Sequence, residues 1–204
     1  MEILKNAMLR TSARRLRHQL YDVCLRIWIT LIMVMATSLA AETPATTINP
    51  SLEYAVKGAY LYKFGSFIDW PQSTFPTPDT PFIIGILGSD PFGPSLDEMV
   101  QNQTVNGRPI VISRYKHVDQ ARAAHVLYIS PTETENLGQI LAGLRDTHVL
   151  TVSDQSKDAR GIINFILQGN KIRFAIDPEA ANRAGLKVSS KLLSVAKVVD
   201  DNNK

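Results

Sequence analysis

The chain has 204 residues, of which 45% are hydrophobic and 20% charged; these are ordinary globular values, enough for one domain with a real core. Its net charge of +3 is unevenly placed. Residues 1–40 hold Lys5, Arg10, Arg14, Arg15, Arg17 and Arg26 against Glu2 and Asp22, leaving 16 of the 22 basic residues against 17 of the 19 acidic ones in the remainder. A body with that balance has no electrostatic footprint for nucleic acid.

The first 41 residues read as a signal peptide. A basic stretch ends at Arg26, the apolar run Ile27–Ala36 follows, and Ser38-Leu39-Ala40-Ala41 supplies the small residues of a cleavage site. The apolar run is shorter than the ~20 residues a membrane span needs, although the long basic stretch leaves a retained anchor as the alternative. Cleavage places the mature start near Ala41 or Glu42. It also removes Cys24, the only cysteine, so an exported protein would rely on core packing alone.

Residues 42–50 are polar and punctuated by proline, a short linker before a domain over 51–200. A helix is expected from Ser51, as cap, to about Asp69, with Glu53 and Lys57 paired one turn apart. The rest of that helix is apolar on more than one side, as in a central or interfacial helix. One group, Leu52, Ala55, Ala59 and Tyr62, can seal the core. A second group, Tyr54, Gly58, Leu61 and Ile68, is then left for a partner surface, with Gly58 and Gly65 allowing close approach. The alternative is that the proline-rich loop 71–81 and the last helix cover this second group.

Phe82–Leu87 is a continuous apolar run, as in a strand buried on both faces. Asp90-Pro91 predicts a helix start, with the helix over about 91–101. Strands are expected at 110–113, 125–129 and 148–152, with a helix over 133–144. Residues 163–167 and 171–176 flank Gly169-Asn170, a β-hairpin signal. Asp177-Pro178 starts a short helix ending near Gly185, and Ser189 or Ser190 caps a last one. The alternation predicts an α/β fold: a largely parallel central sheet flanked by helices, with a C-terminal β-hairpin and terminal helix.

None of the chemical motifs stands above its plain reading. Gly85, Gly88 and Gly93 follow a strand, but their spacing is not that of a nucleotide loop, and Asp90 would repel a phosphate. His117, Asp119 and His125 lack metal-ligand spacing, and His125 and His148 read as rim or core residues. Ser153-Asp154 has no nucleophile-elbow context and reads as a turn with Ser156. Arg108, Arg114 and Arg122 lie near strand ends, where they could clamp an anion or simply be solvated. No cofactor or metal is expected.

Several blocks in order carry a resemblance: Tyr62-Lys63-Phe64 with Asp69-Trp70-Pro71, Gly85–Gly93, Gly107–Ile110, Leu150–Asp154, Gly161–Phe165, Lys171–Phe174 and Ala184–Val199. Over about residues 53–199 the chain resembles the YfiR-like family. That resemblance implies a periplasmic α/β regulator without catalysis, able to dimerise. It further implies a protein that binds and inhibits an inner-membrane signalling partner, a diguanylate cyclase or a sensor kinase. Three positions depart from the family pattern. Ala124 stands where some relatives carry cysteine, Arg160-Gly161 replaces Gly-Gly, and Asp177 replaces a common asparagine. Redox control is therefore not expected here. The competing readings are a solute-binding sensor, with an unknown ligand at the carboxyl ends of the strands, and a hydrolase.

Overall fold

Three strands, Phe82–Leu87, Val126–Ile129 and Leu150–Asp154, form the centre of one sheet because each buries both of its faces. The computed structural model describes residues 49–154 and 159–198; the signal-peptide expectation lies outside them. In chain order the elements are α1 (Pro50–Gly65), β1 (Ile68–Asp69), β2 (Phe82–Leu87), α2 (Pro94–Val100), β3 (Thr104–Val105), β4 (Arg108–Tyr115), β5 (Val126–Ile129), α3 (Leu137–Gly143), β6 (Leu150–Asp154), β7 (Ile163–Gln168), β8 (Lys171–Ile176), α4 (Pro178–Arg183), β9 (Lys187–Val188), α5 (Ser190–Val195) and β10 (Lys197–Val198). The main sheet runs β10-β8-β7-β6-β5-β2-β4-β3. β4, β2, β5, β6 and β7 are mutually parallel, and β8 turns back antiparallel on β7 through the Gly169-Asn170 turn.

Alternation along the strands separates two cores. Ile84, Ile86, Val126, Tyr128, Leu150 and Val152 join α1 and α2 in the larger one. Leu127, Ile129 and Val149 join Leu137, Ile140 and Leu144 of the α3 region in the smaller. α1 lies on the larger core, where Phe64 meets Phe174 edge to face at 5.1 Å and packs 6.0 Å from Phe165. A side chain at Gly65 would strike Phe82 and Val105 at 2.9–3.0 Å, so only glycine lets the helix end this close to the sheet.

Several boundaries differ from the sequence reading, each for a local reason. Asn49, not Ser51, caps α1 by accepting from Ser51 N at 3.0 Å. α1 stops at Gly65 rather than Asp69 because Ile68 and Asp69 pair antiparallel with Val188 and Lys187. Asp90 does not cap a helix: its Oδ1 accepts from Phe92 N (2.7 Å) and Gly93 N (3.1 Å), and α2 begins only at Pro94. The helix expected over 133–144 is a 3-10 turn, Pro131–Asn136, followed by the shorter α3. Asp177 and Ser189 do cap α4 and α5, through Ala180 N and Leu192 N. α5 ends at Val195, and β10 then pairs parallel with β8. Ser153 and Asp154 are not a turn; they end β6, buried.

Candidate functional site

In an open parallel sheet, ligands sit beyond the carboxyl ends of the strands where the strand order reverses. Here the chain runs from β2 outward to β4 and then returns to β5 on the other side of β2, so the crevice lies between β2 and β5. It is filled by the protein's own groups. Thr132 and Glu133 of the 3-10 turn press on Gly88, where a Cβ would meet them at 2.8 Å, and Thr132 Oγ1 accepts from Ser89 N at 3.2 Å. The amides of Phe92 and Gly93, the donors a phosphate would need, are bound to Asp90. Arg114 holds the loop from the other side, its Nε donating to Asp90 (2.7 Å) and its Nη2 to Asp97 (2.5 Å). Those bonds raise the Arg114 pKa, and the Arg114 hydrogen bond lowers that of Asp97.

Next to this crevice is a buried charged network. Lys57 of α1 reaches Asp154 at the end of β6, with Nζ 2.8 Å from Oδ1 and 2.6 Å from Oδ2, and it also pairs with Glu53. Tyr128 of β5 donates its hydroxyl to Asp154 Oδ2 at 2.8 Å. Lys57 and Asp154 side chains are each 1% exposed. The Lys57 ammonium also stands 4.8 Å from the Tyr54 ring centre. Burial, then the Asp154 charge, pushes the Tyr128 pKa up, so the phenol keeps its proton and serves as a donor. Burial likewise raises that of Tyr54. Asp154 thus accepts from two fixed donors, which makes the cluster a tie between α1 and the sheet. Beside it, Ser153 Oγ donates to Asn164 Oδ1 (2.8 Å) and accepts from Gly161 N (3.0 Å). That hydroxyl faces an amide, not a base.

At the opposite edge of the sheet a neutral stack forms. Arg108 Cζ lies 4.2 Å from the Phe75 ring centre, Phe75 stacks on His125 at 4.6 Å, and His125 stacks on Phe82 at 5.0 Å. Arg108 Nη1 donates to the carbonyls of Thr77, Pro78 and Thr80 at 2.7–2.9 Å, clasping the proline-rich loop. His125 Nδ1 accepts from Ile83 N at 3.0 Å, which fixes the imidazole as neutral with its proton on Nε2. Burial lowers the His125 pKa to about 4, helped by the Arg108 charge and opposed by the Thr74 backbone. His148 instead bonds the Ala184 carbonyl, while its own carbonyl accepts from Trp70 Nε1. Arg122 donates to Gly143 O at 2.5 Å, so each of the three arginines singled out from sequence has a structural partner. His117 is exposed. Among the described residues no His, Cys, Asp and Glu cluster could hold a metal, and no helix is long and apolar enough to cross a membrane.

The residues expected to form a partner surface lie elsewhere than supposed. Leu61 and Ile68 are core residues, 0% and 2% exposed, and Gly58 is buried against Leu96 and Phe92. Tyr54 is half-buried against Phe92, 5.6 Å away. α1 therefore turns most of the expected partner group inward, while Tyr62 still packs against the larger core. Leu52, at 56% exposure, and Ala55 face solvent, and Ala59 and Tyr62 are half-buried. The sequence offered Glu53 and Lys57 as a pair one turn apart, and that pair is present, but Asp154, 97 residues away, also binds Lys57 and holds it inward.

A cleft of about 720 Å³ opens on the smaller-core side, between α3 and α4. Leu141, Leu144, Val149 and Ile162 form its apolar part, with Thr151 beside them, and Arg145, Arg160 and Arg183 its basic rim. Sequence reading missed it because its arginines come from segments that only the fold brings together.

Fold and sites define a parallel α/β module whose switch-point crevice is closed from within. The chain belongs to the YfiR/HmsC-like family, whose model matches residues 54–197. Members of this family are periplasmic regulators of cyclic-di-GMP signalling, not catalysts, and interact with a membrane signalling protein. No curated protein matches the chain at a significant level.

Proposed function

We propose that this protein, exported by a signal peptide over residues 1–41, binds and inhibits an inner-membrane signalling enzyme such as a diguanylate cyclase. The family match over residues 54–197 carries this reading. The structure supports it in two ways. The crevice where an α/β enzyme would hold a substrate is filled by Thr132, Glu133 and Asp90. The first helix also offers solvent an outer face, Leu52 and Ala55 with Tyr62 beside them, while its inner face is tied down by Lys57. A surface presented on a rigid element suits protein recognition. In a strain lacking the protein, cyclic-di-GMP rises, and periplasmic expression returns it to the starting level. An unchanged nucleotide level in both strains would overturn the proposal.

The second reading, a solute-binding sensor, loses its expected place at the carboxyl ends of the strands, where Thr132, Glu133 and Asp90 fill the crevice, and is favoured instead by the cleft between α3 and α4. Its volume of about 720 Å³ falls within the ~300–1,000 Å³ of small-molecule sites. The two readings are compatible if the solute adjusts the grip on the membrane partner.

A further inference from the structure

We infer that the cleft between α3 and α4 is a binding site for a small organic anion, an apolar body carrying one acidic group; this rests on the solute-sensor reading. Three arginines from three separate segments border the same space: Arg145 just after α3, Arg160 between β6 and β7, and Arg183 at the end of α4. Arg183 lies only loosely against Asp177 (3.8 Å) and Glu179 (3.7 Å). The side chains of Arg145 and Arg160 make neither an ion pair nor a hydrogen bond among the described residues. Of the two carboxylates in the lining, Asp177 is already engaged as the cap of α4, accepting from Ala180 N at 2.8 Å. Asp146 is the second, and the lining keeps a net positive charge of one.

The floor is suited to the body of such a ligand. Val149 and Ile162 are buried, and Leu144 closes one side. The backbone under Arg160 is held in place: Gly161 N donates to Ser153 Oγ and Ile162 N to Thr151 Oγ1, each at 3.0 Å. A Cβ at Gly161 would come within 2.7 Å of the Thr151 carbonyl, so this segment lies directly on β6. The rim arginine thus stands on a fixed base while its guanidinium stays exposed to an incoming charge. Guanidinium groups match carboxylate, sulfonate and phosphate oxygens in pairs, and apolar walls exclude water from that contact.

Two fluorescent probes with the same aromatic body test this on protein purified from the periplasm: 1-anilinonaphthalene-8-sulfonate, which is anionic, and N-phenyl-1-naphthylamine, which is neutral. The expected result is saturable 1:1 binding of the sulfonate, at least tenfold tighter than that of the neutral probe. Arg160→Ala and Arg145→Ala each weaken it severalfold without changing the melting temperature, and Ala180→Trp, which fills the cleft, abolishes it. Equal affinity for both probes, lost in Ala180→Trp, would overturn the anion assignment and leave the solute-sensor reading standing. Binding of neither probe, or binding indifferent to Ala180→Trp, would overturn both. An acidic peptide that displaces the sulfonate while small carboxylates do not would replace the small anion with a protein segment and so contradict the inference.

Discussion

The two edges of the central sheet bury polar groups by opposite means. At the carboxyl edge the Lys57 side chain is paired with Asp154, 97 residues away, and with Glu53 one turn away. At the amino edge His125 is kept neutral between Phe75 and Phe82, and the charge of Arg108 is spent on loop carbonyls. The difference teaches where each edge is vulnerable. A charged tie fails when one partner is removed, because the other is left buried and unpaired. A neutral imidazole fails when it gains a proton.

The comparison is broken most severely at the charged edge. Lys57→Met strands Asp154 and is expected to cost about 3–5 kcal/mol, read as a lower urea midpoint with an unchanged slope. The double variant Lys57→Met/Asp154→Leu recovers much of that loss. A single variant as stable as the parent would show that the ion pair does not hold α1.

Acid separates the two edges next. His125 is 3% exposed, and its folded pKa of about 4 lies below the ordinary 6.5. The unfolded chain therefore takes up the proton first. Stability falls as pH drops from 6.5 to 4, by about 3 kcal/mol in all, and levels off below. His125→Phe keeps the stack and cannot protonate, so its denaturation midpoint loses that dependence in the same window. A parent and variant with parallel pH profiles would place the acid sensitivity elsewhere.

Arg108→Ala sharpens the account of the amino edge. Three loop carbonyls lose their common donor, and a loss of about 1–2 kcal/mol is expected. Faster amide exchange should be confined to residues 71–81 and leave α1 unchanged. The smallest effect belongs to the outer face of α1. Leu52→Glu changes stability by no more than ~0.5 kcal/mol, whereas Leu61→Glu, with its charge in the core, prevents folding or expression.

Much of this architecture is legible in the sequence because burial on both faces leaves its own mark. Phe82–Leu87 is apolar without interruption, and it is a central strand. The hairpin turn and the Asp177 and Ser189 caps follow from local chemistry that no distant contact overrides. What local pattern cannot decide is rotation. α1 is apolar on two sides, so its periodicity fits either face, and the choice falls to Asp154, far along the chain. Periodicity alone leaves Leu61 and Ile68 for a partner surface and Leu52 for the core, whereas Leu61 and Ile68 are buried and Leu52 is exposed. Asp90 illustrates a nearer competition: an Asp-Pro pair reads as a helix start, yet its carboxylate is spent on a turn and on Arg114, which delays α2 by three residues. The cleft between α3 and α4 left no local signal, since Arg145, Arg160 and Arg183 are far apart until α3, β6 and α4 assemble.

The most direct test of the regulatory role is capture of an inner-membrane signalling enzyme by the periplasmic protein, parent against Leu52→Glu, from detergent-solubilised membranes of the same cells. The parent is predicted to retain a diguanylate cyclase and to lower its activity on the beads. Leu52→Glu, equally folded by melting temperature, is predicted to lose at least tenfold of that capture. Absence of any signalling enzyme from the parent's eluate, with the protein folded and in the periplasmic fraction, would contradict the account.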